Sequence, residues 1–67
     1  MDNGEVRLIF ETIAPYLSNH PEISLFLKKN GHIERERLIG RVEERVKKHQ
    51  GTLRTDYKIL LNKLVEI

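Results

Sequence analysis

Residues 34–48, Glu-Arg-Glu-Arg-Leu-Ile-Gly-Arg-Val-Glu-Glu-Arg-Val-Lys-Lys, decide how this chain folds. Leu38, Val42 and Val46 recur every four residues and form an apolar seam on a helix. Arg37, Arg41 and Arg45 repeat at the same interval, with Lys48 three residues on, so the same helix stacks them as a basic ridge beside the seam. Glu34 and Glu36 fall in the first turn, and Lys47, Lys48 and His49 in the last; both placements oppose the backbone dipole favourably. Glu43–Lys47 and Glu44–Lys48 are acid-first i,i+4 pairs, each worth about 0.3 kcal/mol on an exposed face. Gly40 costs about 1 kcal/mol relative to alanine and marks either a close helix crossing or a tolerated weakness. The expected helix spans about 33–49.

Working outward, Gly51 suits a left-handed cap that ends this helix. Beyond it Tyr57, Leu60, Leu61, Leu64 and Val65 follow i, i+3, i+4, i+7, i+8, which predicts a helix over about 54–66 with Thr52 or Thr55 as its cap. Upstream, Asn30-Gly31 closes a short helix over about 21–29, whose buried side is Ile23, Phe26 and Leu27. Pro21 suits its first turn, Asn19 or His20 its cap, and Glu22 its positive end. A hairpin at Asn-Gly is the alternative, since Ile23, Leu25 and Leu27 alternate. The helical spacing of Ile33, Leu38, Ile39 and Val42 after the turn argues against it. Val6, Ile9, Phe10, Ile13 and Leu17 give one apolar face to a first helix over about 4–17, ending before Pro21, which pushes His20 out of the helical region. The chain therefore reads as all-α, one domain over 1–67. It is a compact bundle of four helices in which the first, third and fourth make the core and the short second packs across them.

Length and composition narrow the function. Sixty-seven residues make one domain, and a chain of that size buries only about 60% of its unfolded surface. There is no cysteine, so neither a disulfide nor a thiolate metal site is expected. His20, His32 and His49 share no i,i+3 or i,i+4 step, so no metal is expected. The glycines are dispersed singly, no Ser–His–Asp or Cys–His grouping is suggested by spacing, and a chain this short rarely shields a reaction pocket. No enzyme activity and no cofactor are expected. No apolar run nears the roughly 20 residues of a membrane span, and the acidic start is unlike a secretory leader; a cytoplasmic protein is expected. The net charge of +2 conceals an asymmetry: residues 1–27 hold one base against four acids, net −3, and residues 28–67 eleven bases against six acids, net +5. A basic half suits a polyanionic partner or a solvated surface.

Val46, Gly51, Tyr57 and Leu60 supply an apolar residue on one helix, a turn residue tolerant of positive φ, and apolar residues six and nine places after it. Residues 46–64 thereby resemble the turn and recognition helix of bacterial helix-turn-helix and winged-helix regulators, departing from that pattern at Lys47, Gln50 and Thr52. The resemblance implies a non-enzymatic protein that binds nucleic acid, duplex DNA foremost. Arg54, Thr55, Lys58 and Asn62 of the fourth helix would face a groove, where Arg suits guanine and Asn adenine. Arg37, Arg41, Arg45 and Lys48 would hold phosphates. Asp56 should point away or cap its helix. The rival reading is a helical interaction or dimerisation module regulating a partner protein. Leu8, Tyr16, Leu25 and Ile59 lie off the main apolar faces and would form its patch; a homodimer is open under either reading.

Overall fold

The computed structural model describes residues 1–66 and contains four α-helices and no strand among them: α1 (Asn3–Ile13), α2 (His20–Asn30), α3 (Arg35–Lys48) and α4 (Gly51–Glu66). A single 3-10 turn, Ala14–Tyr16, follows α1. The all-α bundle read from the sequence is the fold, with shifted boundaries that have local causes.

α1 opens on Asp2, whose carboxylate accepts the Glu5 N–H at 2.8 Å. That bond holds the Asp2 carboxyl below its ordinary value of 3.8. The α-helix stops at Ile13 rather than near Leu17 because Pro15 has no N–H to donate back. The chain tightens into the 3-10 turn and leaves it at Leu17 with φ −87° and ψ 144°. α2 starts one residue before Pro21, with Asn19 at the cap position but making no side-chain cap bond. α3 begins two residues after Ile33 and ends at Lys48, where His49 turns extended and returns its N–H to Arg45 O at 3.0 Å.

Gly51 has φ +70°, as a left-handed glycine should. It opens α4 instead of closing α3, so α4 begins three residues earlier than the apolar pattern suggests. Neither expected threonine cap forms. Thr55 Oγ1 donates back to Gly51 O at 3.3 Å, and Thr52 Oγ1 accepts from Asn19 Nδ2 at 3.2 Å.

All four helices and Leu17 contribute to one core. Ile23, Leu38, Val42, Tyr57, Leu60 and Leu64 are fully buried at its centre. Phe26 meets Tyr57 edge-on, with centroids 5.3 Å apart, and the His49 ring stacks on Tyr57 at 5.5 Å. α2 therefore reaches the middle of the core through Ile23 and Phe26 instead of only lying across it. The first residue of α3 is tied to the last turn of α4, since Arg35 Nη1 donates to Leu64 O at 2.9 Å. Contacts at both ends close α3 and α4 into an antiparallel hairpin.

Candidate nucleic-acid interface

Burial of Leu38 and Val42 sets the roll of α3. It leaves Arg37, Arg41 and Lys48 exposed on one flank and Arg45 half-buried at the inner margin of that flank. α2 lies beside these residues. The Arg45 guanidinium sits over the Phe26 ring, 5.3 Å from its centroid, a cation–π contact of about 0.5–1 kcal/mol at such a site. Arg41 Nη1 donates to Asn30 Oδ1 at 2.6 Å. The Asn30 amide is itself oriented, because Nδ2 donates to Phe26 O at 3.0 Å. Phe26 and Asn30 are four residues apart, as are Arg41 and Arg45, and the pairs meet in antiparallel order. The edge of α2 thus holds two guanidiniums one turn apart.

No cation of the ridge makes an ion pair with a carboxylate among the described residues. Among the described residues the ion pairs are Arg7–Glu11 at 3.5 Å and Lys63–Glu66 at 3.9 Å, neither on the ridge. The anticipated pairs Glu43–Lys47 and Glu44–Lys48 do not form. All four side chains are exposed, where hydration and side-chain entropy offset most of the Coulomb gain. Helical periodicity places Glu36 and Glu43 across the seam, on the flank opposite Arg41, and Glu44 on the ridge flank, three residues after Arg41 and four before Lys48.

α4 shows Arg54, Thr55, Lys58 and Asn62 to solvent, because Asp56, Tyr57, Leu60 and Leu64 face inward. The strip is continuous, but its neighbours differ from those of the ridge. Asn62 borders a shallow groove with Thr12, Tyr16 and Ile59, on the side of α4 that meets α1. The eight candidates therefore lie on two helices with different neighbours: Arg41 and Arg45 of the ridge lean on α2, and Asn62 of the strip borders α1. A helix-turn-helix pair crosses at about 90–120°. At 14 residues α3 is about 21 Å long, and Arg35 at its far end still reaches Leu64 O of α4.

Asp56 explains part of this geometry. It is 1% exposed and accepts from Ser18 N at 3.0 and 3.1 Å, Asn19 N at 2.6 Å and Asn19 Nδ2 at 3.2 Å. It anchors the segment leading into α2 rather than capping its own helix. Two other polar atoms are buried without a hydrogen-bond partner among the described residues, Tyr57 Oη and His49 Nε2. Burial raises the Tyr57 phenol above its ordinary value of 10.0. Arg45 lies close enough to oppose that shift, and Glu22 reinforces it.

The apolar residues set apart for an interaction patch also separate. Leu8 is 64% and Tyr16 73% exposed, and Tyr16 shares the α1–α4 groove with Ile59. Ile59 is half-buried against the core, whereas Leu25 is exposed on α2, away from that groove. Among the described residues no three His, Cys, Asp or Glu side chains gather as a metal site, and no helix is long and apolar enough to cross a membrane. The sequence placed Phe26 on the buried side of α2 and Asn30 at its end, but their roles in orienting the ridge escaped it. Their i,i+4 spacing matching Arg41 and Arg45 was the available signal.

Comparison of the chain with protein-family models, curated proteins and solved structures gives no match.

Proposed function

We propose that this domain binds nucleic acid without catalysis, holding the phosphates of duplex DNA with Arg37, Arg41, Arg45 and Lys48 of α3. The supporting observation is a set of four cations on one helix flank, two of them oriented by α2 and none paired with a carboxylate among the described residues. An oriented guanidinium loses less freedom on binding and presents its remaining donors to a phosphate fork. Arg54, Thr55, Lys58 and Asn62 of α4 form a second exposed polar strip, on a different helix from the ridge.

The test is a titration of labelled duplex at several salt concentrations. A clamp of four or five cations gives a log K against log[salt] slope of about −4 to −5. Substituting Arg41 and Arg45 by alanine flattens the slope by about two. Absence of an anisotropy change at low salt removes the proposal.

The second reading, a protein-interaction or dimerisation module, draws on the α1–α4 edge. Tyr16 is exposed there in the groove that Ile59 also lines, and Leu8 is exposed on α1 one turn before Thr12 of that groove. Apolar side chains gathered beside a groove suit a protein partner or a second copy of the chain.

A further inference from the structure

Within that nucleic-acid reading, we propose that the phosphate-binding face is the two-helix edge α2–α3, completed by Lys29 and positioned by Asn30, and that it binds duplex DNA independently of sequence. Asn30 joins the two helices. Its amide is fixed by the Phe26 carbonyl on one side and holds Arg41 Nη1 on the other. It is therefore a positioning residue for a guanidinium whose other donors remain free. Lys29 precedes it, is exposed, and lies in the last turn of α2. Helical periodicity puts Lys29 on the same side of α2 as Phe26, three residues earlier, and so on the side that meets α3. Lys28 instead lines the groove between α1 and α2, with Val6 and Phe10, and points elsewhere.

The charge along this edge is graded. Glu22, four residues before Phe26 on the same side of α2, lies near the Arg45 end and acts on Tyr57 electrostatically. Lys29 lies near the Arg41 end, where Arg37 follows. The cations Lys29, Arg37 and Arg41 thus gather at the end of the edge away from Glu22. The strip proposed for base contact lies on α4, where Asn62 borders the α1 groove, and none of its residues belongs to α2 or α3. Contacts that reach phosphates alone position a duplex but carry no sequence information.

Two labelled duplexes of unrelated sequence, titrated over a salt series against the whole chain, test the idea. Wild-type affinity should agree between them within a few-fold. Lys29→Ala should reduce the salt slope by about one and weaken both duplexes alike. Asn30→Ala should weaken binding several-fold while leaving the slope unchanged, since no charge is lost. Asn30→Asp places a carboxylate on Arg41 and should reduce the slope by about one. Thermal melts of each variant separate lost binding from lost fold, and the exposed Lys29 variant decides the matter even if both Asn30 variants are unstable. The inference is overturned if wild type binds and Lys29→Ala is silent. It is equally overturned if an Arg54→Ala, Lys58→Ala double variant loses more affinity than Lys29→Ala, or if one duplex is preferred by orders of magnitude. No binding by wild type removes the nucleic-acid reading itself.

Discussion

Asp56 shows how one residue fixes the bundle. Tyr57, Leu60 and Leu64 made the buried face of α4 legible in the sequence, although Asp56, which joins it, was expected to point away or cap the helix. The partners of Asp56 were not legible, because Ser18 and Asn19 lie 38 and 37 residues away along the chain. Replacing Asp56 by alanine strands the two backbone N–H groups it serves. Hydrogen bonds to a charged group are worth about 1.5–3 kcal/mol, so Asp56→Ala should cost about 2–4 kcal/mol, seen as a lower urea midpoint at unchanged m value. Its neighbour Tyr57 behaves oppositely. Among the described residues its hydroxyl is buried without a hydrogen-bond partner, so Tyr57→Phe should stabilise the fold by about 1 kcal/mol. The phenol is raised in the folded state above 10.0. Its contribution is therefore full below the unfolded value and falls as pH rises past it towards the folded value. Wild type should lose stability above pH 10 more steeply than Tyr57→Phe in parallel urea titrations.

The helices read well where apolar spacing was strong and less well where the chain turns. Pro15 shortens α1 through its missing N–H, an effect that the later Pro21 obscured in the sequence. Three glycines that look alike in the sequence have different physical causes. Gly31 is at φ −68°, so its conformation suits any residue, but a Cβ there would lie 2.6 Å from Leu27 O and 2.8 Å from a Val6 methyl. Gly51 has open space around it and φ +70°, a conformation costing about 1–2 kcal/mol for an L-residue. Gly40 has neither restriction, with nothing within 4 Å of its added Cβ, so it marks no helix crossing. Three alanine substitutions separate these causes in thermal melts. Gly31→Ala should destabilise by about 1–3 kcal/mol through overpacking and Gly51→Ala by about 1–2 kcal/mol through strain. Gly40→Ala should stabilise by about 1 kcal/mol through helix propensity.

On the scale of the whole molecule, the two functional readings occupy different sides of the bundle. The cationic edge belongs to α2 and α3, whereas Tyr16 and Ile59 meet in the α1–α4 groove. The roll of α3 made the ridge legible, since Leu38 and Val42 dictate where Arg37 and Arg41 point. The separation of the α4 strip from it depends on tertiary packing that no local pattern encodes. A small domain turns any ligand of its folded state into measurable stability. If duplex DNA binds the edge, a melt at 100 times the dissociation constant gains about 2.7 kcal/mol, or roughly 10–20 °C for a chain of this size. That gain should shrink in high salt as counterion release weakens, and it should be independent of protein concentration. Self-association through the α1–α4 edge produces the reverse pattern, a melting temperature that climbs with protein concentration and ignores DNA. Tyr16→Ser should abolish that climb without altering a DNA-induced shift, whereas Arg37→Ala with Arg41→Ala should remove the DNA shift and leave the concentration dependence intact. A protein that shows both responses uses both sides, and the two pairs of variants would then assign each response to its own pair of helices.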